Sequence, residues 1–463
     1  MEPAVYVNSV STLSQIQFRP VPVQQAPQRA VAAAIPRPAS NLAYSPYTSD
    51  SWKTTQNNTI QAQGKNVGLR LLDKTLGLKA DYIEASFTDK TPENPIDIEE
   101  VDFNLHVRSG AVSVSDVDAT LTVEKLLNRS AASKGKASPV KDLRVAFDAN
   151  NQIRVEGKVK ALGMNLPFAV KGSVSAGNAG EIRYDLGKAK VAGMPVNGLM
   201  SVMGLNLDKL LKLRNPSEGY YTSGNSLVLN LGQTISQLDG APGMDLTVRD
   251  ISTHLGRLNL VVGDTPEDAA RALREKQAKE PAFVKATAGH AYIDGFFVKN
   301  GAINIYDLTP GSPLNLNYQG EEKSIQVKSG FVGITDWRFE ELIKDEIGET
   351  EDFTEIDTNL KKDGAHLQGK LLGAIPVSMN LQFDRTDTGK IMFTPVSPKA
   401  FGFIPLPSGF VGSKVQKLVK TGTPYGNGVA IDGMSGIDLG YVKQLVHQNG
   451  YIVLESGEKP QAN

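Results

Sequence analysis

Cysteine is absent from this sequence of 463 residues, which excludes disulfide bonds, thiolate catalysis and cysteine-ligated zinc. Histidine is scarce, and its five residues do not take the HExxH spacing of a helical zinc site. No run of about 18 apolar residues occurs, so no transmembrane helix is predicted. The first residues lack the basic and apolar segments of a secretory signal. We therefore expect a cytoplasmic or peripherally membrane-associated protein, or a mature form whose leader has been removed.

A strong excess of one charge is also absent, because 49 basic residues are balanced by 50 acidic ones. A dedicated nucleic-acid-binding protein would carry a basic excess, so no nucleic-acid partner is predicted. The signatures of common catalytic sites are missing as well, since neither GxSxG nor a phosphate-binding loop ending in Lys-Ser/Thr occurs. The carboxylates of residues 345–357 lack the EF-hand spacing and are interpreted as a solvated acidic loop. We expect no enzyme, no cofactor and no metal.

Proline is concentrated in the first segment of the chain, residues 1–58, among glutamine, serine and alanine. Proline at this density interrupts both helices and sheet ladders, which predicts a disordered or extended tail. The alternative interpretation is an arm that binds a protein partner.

The remainder of the sequence alternates between short runs of period-two hydrophobicity and turn residues, which predicts antiparallel sheets of an α+β protein. A polar helix is predicted over Pro266–Lys279, because Thr265 can cap it and Pro266 suits its first turn. This segment, residues 265–282, is interpreted as a solvated connector between a first module (59–264) and a second module (283–463). Four amphipathic helices are predicted within the modules, over Val67–Leu78, Leu199–Leu213, Phe339–Ile347 and Phe410–Lys420.

The two predicted modules share short sequence matches that occur in the same order. The segment 107–116 (VRSGAVSVSD) matches 327–336 (VKSGFVGITD) at an offset of 220 residues. Further matches are Gly157-Lys158 with Gly369-Lys370, Met194-Pro195-Val196 with Ile404-Pro405-Leu406, and Lys209–Lys212 with Lys417–Lys420. Their order predicts an internal duplication with two similar modules in tandem.

The segment from Asp142 to Leu211 resembles the bacterial LmeA-like phospholipid-binding family. That family has a strand of the form "V.V.G....LG..LPF.V.G.", then a strand leading into "GLP", then a helix. The resemblance extends from Val67 to Val262, and weakly into the second module through the repeat. It implies a tubular lipid-binding fold, in which each curved antiparallel sheet wraps one or two amphipathic helices around an apolar tunnel. The matching residues are Val155, Gly157, Leu162, Gly163, Leu166, Pro167, Phe168, Val170, Gly172 and Gly193-Met194-Pro195.

A lipid site requires an apolar concave surface and no reactive group. We expect such a tunnel to bind phospholipid or another long apolar molecule, without catalysis. The alternative is that the same residues fill ordinary solid cores, as in a scaffold protein with a partner-docking tail. The predicted lining is Leu162, Met164, Leu166, Phe168, Met194, Leu199, Val202, Met203, Ile375, Val377, Met379, Phe401, Phe403, Ile404 and Phe410.

The segment Ala400–Phe410 is apolar, interrupted by glycine and proline, and followed by lysines. It is interpreted either as a membrane-contacting tip or as a buried turn leading into a helix. In the first interpretation, the aromatic rings enter the membrane and the lysines contact anionic headgroups. The predicted membrane contacts are Phe403, Phe410, Lys414 and Lys417.

Overall fold

The structure is a computed structural model that describes most of the chain after the proline-rich segment. Residues 1–57 of the predicted tail and the predicted helix Leu199–Leu213 lie outside the described residues. The described ranges are 58–71, 76–91, 94–97, 101–132, 137–138, 140–161, 164–177, 180–195, 214–215, 219–236, 241–293, 295–307, 313–315, 323–347, 353–419, 422–434, 437–448 and 450–459.

Strands make up most of the described residues, which confirms a β-rich α+β fold with antiparallel sheets. The first half (59–264) contains β1 (Thr59–Leu71), β2 (Leu76–Asp89), β3 (Ile96–Asp97), β4 (Phe103–Ser115), β5 (Val140–Asp148), β6 (Gln152–Ala161), β7 (Met164–Ala176), β8 (Ile182–Val191), β9 (Met194–Pro195), β10 (Arg214–Asn215), β11 (Tyr220–Ser223), β12 (Ser226–Leu229), β13 (Gly243–Leu246), β14 (Val248–His254) and β15 (Arg257–Gly263). The second half (283–463) contains β16 (Phe283–Ile293), β17 (Phe296–Asp307), β18 (Leu314–Asn315), β19 (Lys323–Thr335), β20 (Phe353–Lys361), β21 (Gly364–Leu371), β22 (Ile375–Arg385), β23 (Ile391–Ala400), β24 (Ile404–Pro405), β25 (Thr423–Tyr425), β26 (Gly428–Ile431), β27 (Gly433–Met434), β28 (Ile437–Asp438), β29 (Tyr441–Gln448) and β30 (Tyr451–Gly457). The described helices are α1 (Asp116–Ala132), α2 (Leu231–Ser236), α3 (Pro266–Gln277), α4 (Asp336–Ile347) and α5 (Ser408–Leu418).

The described strands form three sheets. Sheet A has fifteen strands, with the main order β14-β15-β4-β2-β1-β16-β17-β19-β28-β27. Sheet B belongs to the first half and runs β10-β11-β12-β8-β7-β6-β5, with β9 added to β8. Sheet C belongs to the second half and runs β20-β21-β22-β23-β26-β25, with β24 added to β23. Sheet A is therefore shared between the halves, whereas each half has one further sheet of its own.

The same pattern of strand pairing occurs in both halves. In the first half, β2 pairs with β1 and β4, β4 with β15, and β15 with β14. In the second half, β17 pairs with β16 and β19, β19 with β30, and β30 with β29. Sheets B and C also agree, since β5-β6-β7-β8-β12-β11 has the same order as β20-β21-β22-β23-β26-β25.

The halves meet at an antiparallel pairing of β1 with β16, which we call the seam. Residues Gln61–Lys65 lie opposite Phe283–Thr287. Two short strands cross between the halves, because β18 pairs with β1 and β3 pairs with β16. Ile96 on β3 and Leu314 on β18 are both fully buried. Backbone hydrogen bonds and apolar burial therefore join the halves into one continuous sheet.

The helix predicted over Val67–Leu78 is wrong, because this segment belongs to the hairpin of β1 and β2. The two strands pair from Thr59 opposite Thr88 to Leu71 opposite Leu76. Apolar residues recur at every second position within each strand, at 67, 69 and 71 in β1 and at 76 and 78 in β2, so their spacing fits strands as well as a helix. The long strand ladder pairs the backbone N–H and C=O groups of the segment, so the segment forms strands and not a helix.

The helix predicted over Pro266–Lys279 is present as α3, with the capping box that its sequence indicates. The Thr265 side chain accepts a hydrogen bond from the backbone N–H of Asp268, whose side chain accepts one from the backbone N–H of Thr265. The helix is not fully solvated, since Ala272 is completely buried against sheet A. An ion pair of 2.8 Å between Arg271 Nη2 and Glu84 Oε2 also fastens α3 to β2. This segment therefore covers part of the sheet.

A large apolar core fills the space between sheets A and C in the second half. The helices predicted near Phe339–Ile347 and Phe410–Lys420 are present as α4 and α5, and both contribute to this core through side chains such as Phe339 and Val411. Phe383 lies at its centre, with edge-to-face contacts to Phe339 at 5.3 Å and Phe393 at 4.9 Å between ring centroids. The described core of the first half is smaller and joins β7 and β8 of sheet B to β14 and β15 of sheet A.

Candidate functional site

The predicted lining residues divide into buried and exposed groups. Val377 and Met379 are buried in the core between sheets A and C, and Ile375 packs against it. Leu166 and Phe168 are half-buried on β7. Leu162, Leu199, Val202 and Met203 lie outside the described residues. The other six are exposed at the surface instead of facing an interior: Met164, Met194, Phe401, Phe403, Ile404 and Phe410.

Four of the exposed residues gather with Leu372 at one end of sheet C. We call this group the C tip: Leu372, Phe401, Phe403, Ile404 and Phe410. The exposed fraction runs from 44% for Ile404 to 75% for Phe403. Exposed apolar side chains are ordinary when they are scattered singly, but a cluster at one end of a sheet is typical of an interaction surface.

Two turns of left-handed backbone hold the C tip. Leu372 and Gly373 have φ values of 53° and 70° in the turn between β21 and β22. Phe401 and Gly402 have φ values of 52° and 77° in the turn between β23 and β24. The backbone N–H of Phe401 donates to the carbonyl oxygen of Pro376 at 2.8 Å, which ties the second turn to the start of β22.

Leucine and phenylalanine are unusual at such positions, which normally favour glycine or asparagine. A bulky residue in the left-handed region costs about 1–2 kcal/mol. The sequence thus places apolar side chains on these turns despite an unfavourable backbone conformation and without the gain of burial.

The C tip lies at the end of sheet C that is distant from its junction with sheet A. At the junction, the backbone N–H of Gly450 donates to the carbonyl oxygen of Leu360, and that of Val442 donates to Gly389. From there β21 runs eight residues to the tip. At about 3.3 Å per residue, this is about 26 Å.

Charged side chains of both signs lie near the C tip, since Lys370 Nζ pairs with Glu355 Oε1 at 2.5 Å two residues before Leu372. Between Asp387 and Asp432, the sequence contains no aspartate or glutamate but has Lys390, Lys399, Lys414, Lys417 and Lys420. Lys390 lies at the opposite end of β23 from the tip and pairs with Asp432 Oδ2 at 2.9 Å. Of the two lysines predicted as membrane contacts, Lys414 is half-buried on α5, and the side chain of Lys417 lies outside the described residues. Lys399 is exposed, and its backbone pairs with Pro405 beside the tip. The first turn of α5, which begins at the tip, contains no acidic residue.

A titratable cluster lies elsewhere, on sheet A of the first half. His106 on β4 is placed between two aspartates, with 2.9 Å from Nδ1 to Asp245 Oδ2 and 2.9 Å from Nε2 to Asp264 Oδ2. The aspartates are 139 and 158 residues away in sequence, so no local motif marks this cluster. Partial burial lowers the pKa of His106, but the hydrogen bonds and charges of both aspartates outweigh it and raise the pKa above its ordinary value of 6.5.

The sign of this shift sets a pH dependence. Because the folded protein holds the proton more tightly than the unfolded chain, the cluster contributes its full stability below about pH 6.5 and loses it as pH rises through the higher folded pKa. We expect His106→Gln to destabilise the protein, and to lower its melting temperature, more at about pH 6 than at about pH 8. The loss in free energy of unfolding is less than ~1 kcal/mol, because solvent screens this partly exposed cluster. Melting curves at both pH values measure it.

In the second half, the position equivalent to His106 is occupied by glutamine, the residue that this substitution introduces. Gln326 on β19 lies opposite Asp438, as His106 lies opposite Asp245. Glutamine therefore fits the equivalent position without a titrating group. An equal loss of melting temperature at both pH values would contradict the assigned role of protonation.

No described helix is long and apolar enough to cross a membrane. In the same residues, no group of three or more histidines, aspartates or glutamates is arranged to hold a metal ion.

Comparison with known proteins gave no assignment. No protein-family model matches the sequence, and searches of curated proteins and of solved structures gave no match.

Proposed function

We propose that this chain is a non-enzymatic phospholipid-binding protein that attaches peripherally to anionic lipid surfaces through the C tip. The observation that carries the proposal is the cluster of exposed apolar side chains, held on two turns at the distant end of sheet C. The rings and Leu372 would enter the boundary between headgroups and acyl chains, and the nearby lysines would meet anionic headgroups.

The magnitudes fit a reversible attachment. Full burial of one phenylalanine side chain contributes about 1.5–3 kcal/mol, and each lysine near an anionic surface adds about 1 kcal/mol. The C tip has three phenylalanines that are each about half to three-quarters exposed. Partial burial of these three rings, together with the charge of a few lysines, gives enough binding free energy to attach the chain to a lipid surface without permanent insertion.

The recurring strand pattern supports a finer proposal about the fold. The proposal is that the chain consists of two tandem modules of the tubular lipid-binding type. One module would be built from sheet B and part of sheet A, and the other from sheet C and part of sheet A. This arrangement would explain why the order of strand pairing is repeated in sheets B and C. Each module would hold an acyl chain or another long apolar ligand in its interior. Leu166 and Phe168, half-buried on β7, are the described candidates for contacting it.

The test of the proposal is lipid binding by a C-tip variant of the full chain. We expect Phe401→Ser combined with Phe403→Ser to weaken binding to vesicles of phosphatidylcholine and phosphatidylglycerol by about tenfold or more, because two apolar contacts are lost. Flotation with the vesicles measures the bound fraction. Since both side chains are exposed, the melting temperature should stay nearly unchanged.

The matched control is Leu255→Ser. Leu255 is 84% exposed, but it lies in the turn between β14 and β15 on sheet A, away from the tip. We expect this variant to bind like the original chain. Equal binding by the C-tip variant and the original chain would refute the role of the tip, and equal losses in both variants would show a general effect of surface apolarity.

A scaffold protein is the second candidate, and the packing of the second half favours it. The described core between sheets A and C contains 23 buried apolar residues, including Val377 and Met379 from the predicted lining. Native mass spectrometry of the purified chain distinguishes the two functions. Copurified lipid supports the lipid-binding function. A ligand-free chain that also fails to bind vesicles supports a scaffold, with residues 1–58 as the arm to delete in partner-binding assays.

A further inference from the structure

The first half has a pair of exposed methionines at positions equivalent to the C tip. Met164 is 57% exposed at the start of β7, and Met194 is 67% exposed at the start of β9. We call Met164, Ala192, Gly193 and Met194 the B tip. Most methionines are buried or half-buried in proteins, and the flexible thioether adapts to apolar partners of varied shape.

The backbone of the B tip matches that of the C tip. Ala192 and Gly193 have φ values of 50° and 80°, close to those of Phe401 and Gly402. The backbone N–H of Ala192 donates to the carbonyl oxygen of Pro167 at 2.7 Å, as that of Phe401 donates to Pro376 at 2.8 Å. The same left-handed turn is thus tied to the same neighbouring strand in both halves.

The flanking strands match as well. Lys190 on β8 lies opposite Pro195 on β9, and Lys399 on β23 lies opposite Pro405 on β24. The turns differ by one residue, because Val191 pairs with Met194 directly, whereas Phe403 is an addition between Ala400 and Ile404. The two tips therefore share a frame and differ in the apolar side chains that they present.

Lysines also lie on the strands that lead to the B tip. The segments 157–180 and 186–207 contain no aspartate or glutamate, and they include Lys158, Lys160, Lys171, Lys188 and Lys190. Lys188 and Lys190 are exposed on the strand that leads to the turn. Lys158 Nζ pairs with Asp142 Oδ2 at 2.7 Å, and Lys171 Nζ pairs with Asp148 Oδ2 at 3.6 Å. Lys188 and Lys190 therefore supply the charge on the strand that leads to the turn. The charge complements an anionic lipid surface, as it does at the C tip.

The two tips share the same turn and the same strand pairing, and the B tip has exposed methionines and nearby lysines. From these observations we infer that the B tip is a second contact for anionic lipid surfaces, so that the chain binds lipid at two places. This inference rests on the proposed function. Sheets B and C are both joined to sheet A, and the seam makes sheet A continuous. Two contacts that engage one surface together bind it more tightly than either contact alone, because the second binding event is intramolecular.

The experiment compares four full-length proteins on the same phosphatidylcholine and phosphatidylglycerol vesicles. They are the original chain, a B-tip variant (Met164→Ser with Met194→Ser), the C-tip variant of Phe401 and Phe403, and the combination of both. We expect the B-tip variant to bind about tenfold more weakly than the original chain, and the combined variant to lose binding. Melting curves establish that each variant is folded.

The absence of cysteine allows a direct measurement of contact at each tip. Single substitutions Met194→Cys, Phe403→Cys and Leu255→Cys each give one site for an environment-sensitive fluorophore. We expect the label to shift to shorter emission wavelengths on vesicle binding at positions 194 and 403, and to remain unchanged at position 255. This readout does not depend on how much affinity each tip contributes.

The failures of the two proposals are distinguishable. Unchanged binding by the B-tip variant and an unchanged label at position 194, with the C-tip effects present, would overturn the second contact and leave the proposed function standing. An original chain that does not bind these vesicles would overturn both. Loss of binding in the B-tip variant with the expected label shift at position 194 supports the second contact.

Discussion

Replacing Phe383 by alanine is expected to lower the free energy of unfolding by about 3–5 kcal/mol, the usual cost of truncating a buried phenylalanine. Its ring contacts Phe339 and Phe393 edge to face, and the ring of His447 lies 5.2 Å away between centroids. These partners come from α4, sheet C and sheet A, so the cavity would open where three layers meet. Neighbouring strands cannot move into such a cavity without breaking their ladders, and we expect the upper part of the range.

Urea unfolding followed by circular dichroism measures this loss. Phe403→Ala is the matched control, because it removes the same side chain from a residue that is 75% exposed. An exposed truncation changes stability by about 0.5 kcal/mol or less. Similar losses for Phe383→Ala and Phe403→Ala would contradict the placement of these two rings.

Replacing Asn58 by alanine is expected to destabilise the protein by about 2–4 kcal/mol, because it leaves buried polar groups without partners. The Asn58 amide donates to Asp89 Oδ2 at 2.9 Å and to the carbonyl oxygen of His290 at 2.8 Å, and its oxygen accepts from the backbone N–H of His290 at 2.8 Å. Asn58 is 7% exposed. One side chain thus joins the end of β2 to β16, beside the seam.

Urea midpoints also measure this change. Asn359→Ala is a suitable control, because Asn359 is exposed on β20. We expect the control to stay near the original stability. If Asn58→Ala proved equally mild, the three hydrogen bonds would contribute little beyond those that water would form in their place.

Local signals in the sequence predict α3, α4 and α5, but not the full length of α1, although Ser115 accepts a hydrogen bond from the backbone N–H of Asp118 at its start. Thr265 and Pro266 mark the start of α3, and the apolar spacing of Phe339, Leu342 and Ile343 marks α4. Local spacing is ambiguous for Val67–Leu78, because its apolar positions fit both a helix and two strands. The pairing of β1 with β2 and with β16 decides that segment, and such distant partners cannot be read from a short window.

The candidate site also has features that a local sequence signal predicts and features that only the folded structure shows. The unusual composition of Ala400–Phe410 singles it out in the sequence, but composition does not tell a buried turn from an exposed one. Exposure of Phe403 and Met194 depends on turns whose φ values and strand register only the structure supplies. The cluster around His106 has no local signal, because both aspartates are distant in sequence.

The seam has a consequence for any attempt to divide the chain. Produced alone, the first half would present β1 as a bare sheet edge, which is a template for pairing with other chains. Because β1 and β16 occupy equivalent places in the two pairing patterns, a second copy of the first half could take the place of β16. The isolated half is therefore expected to form twofold dimers, in which two identical polypeptides rebuild the junction that the full chain makes within itself.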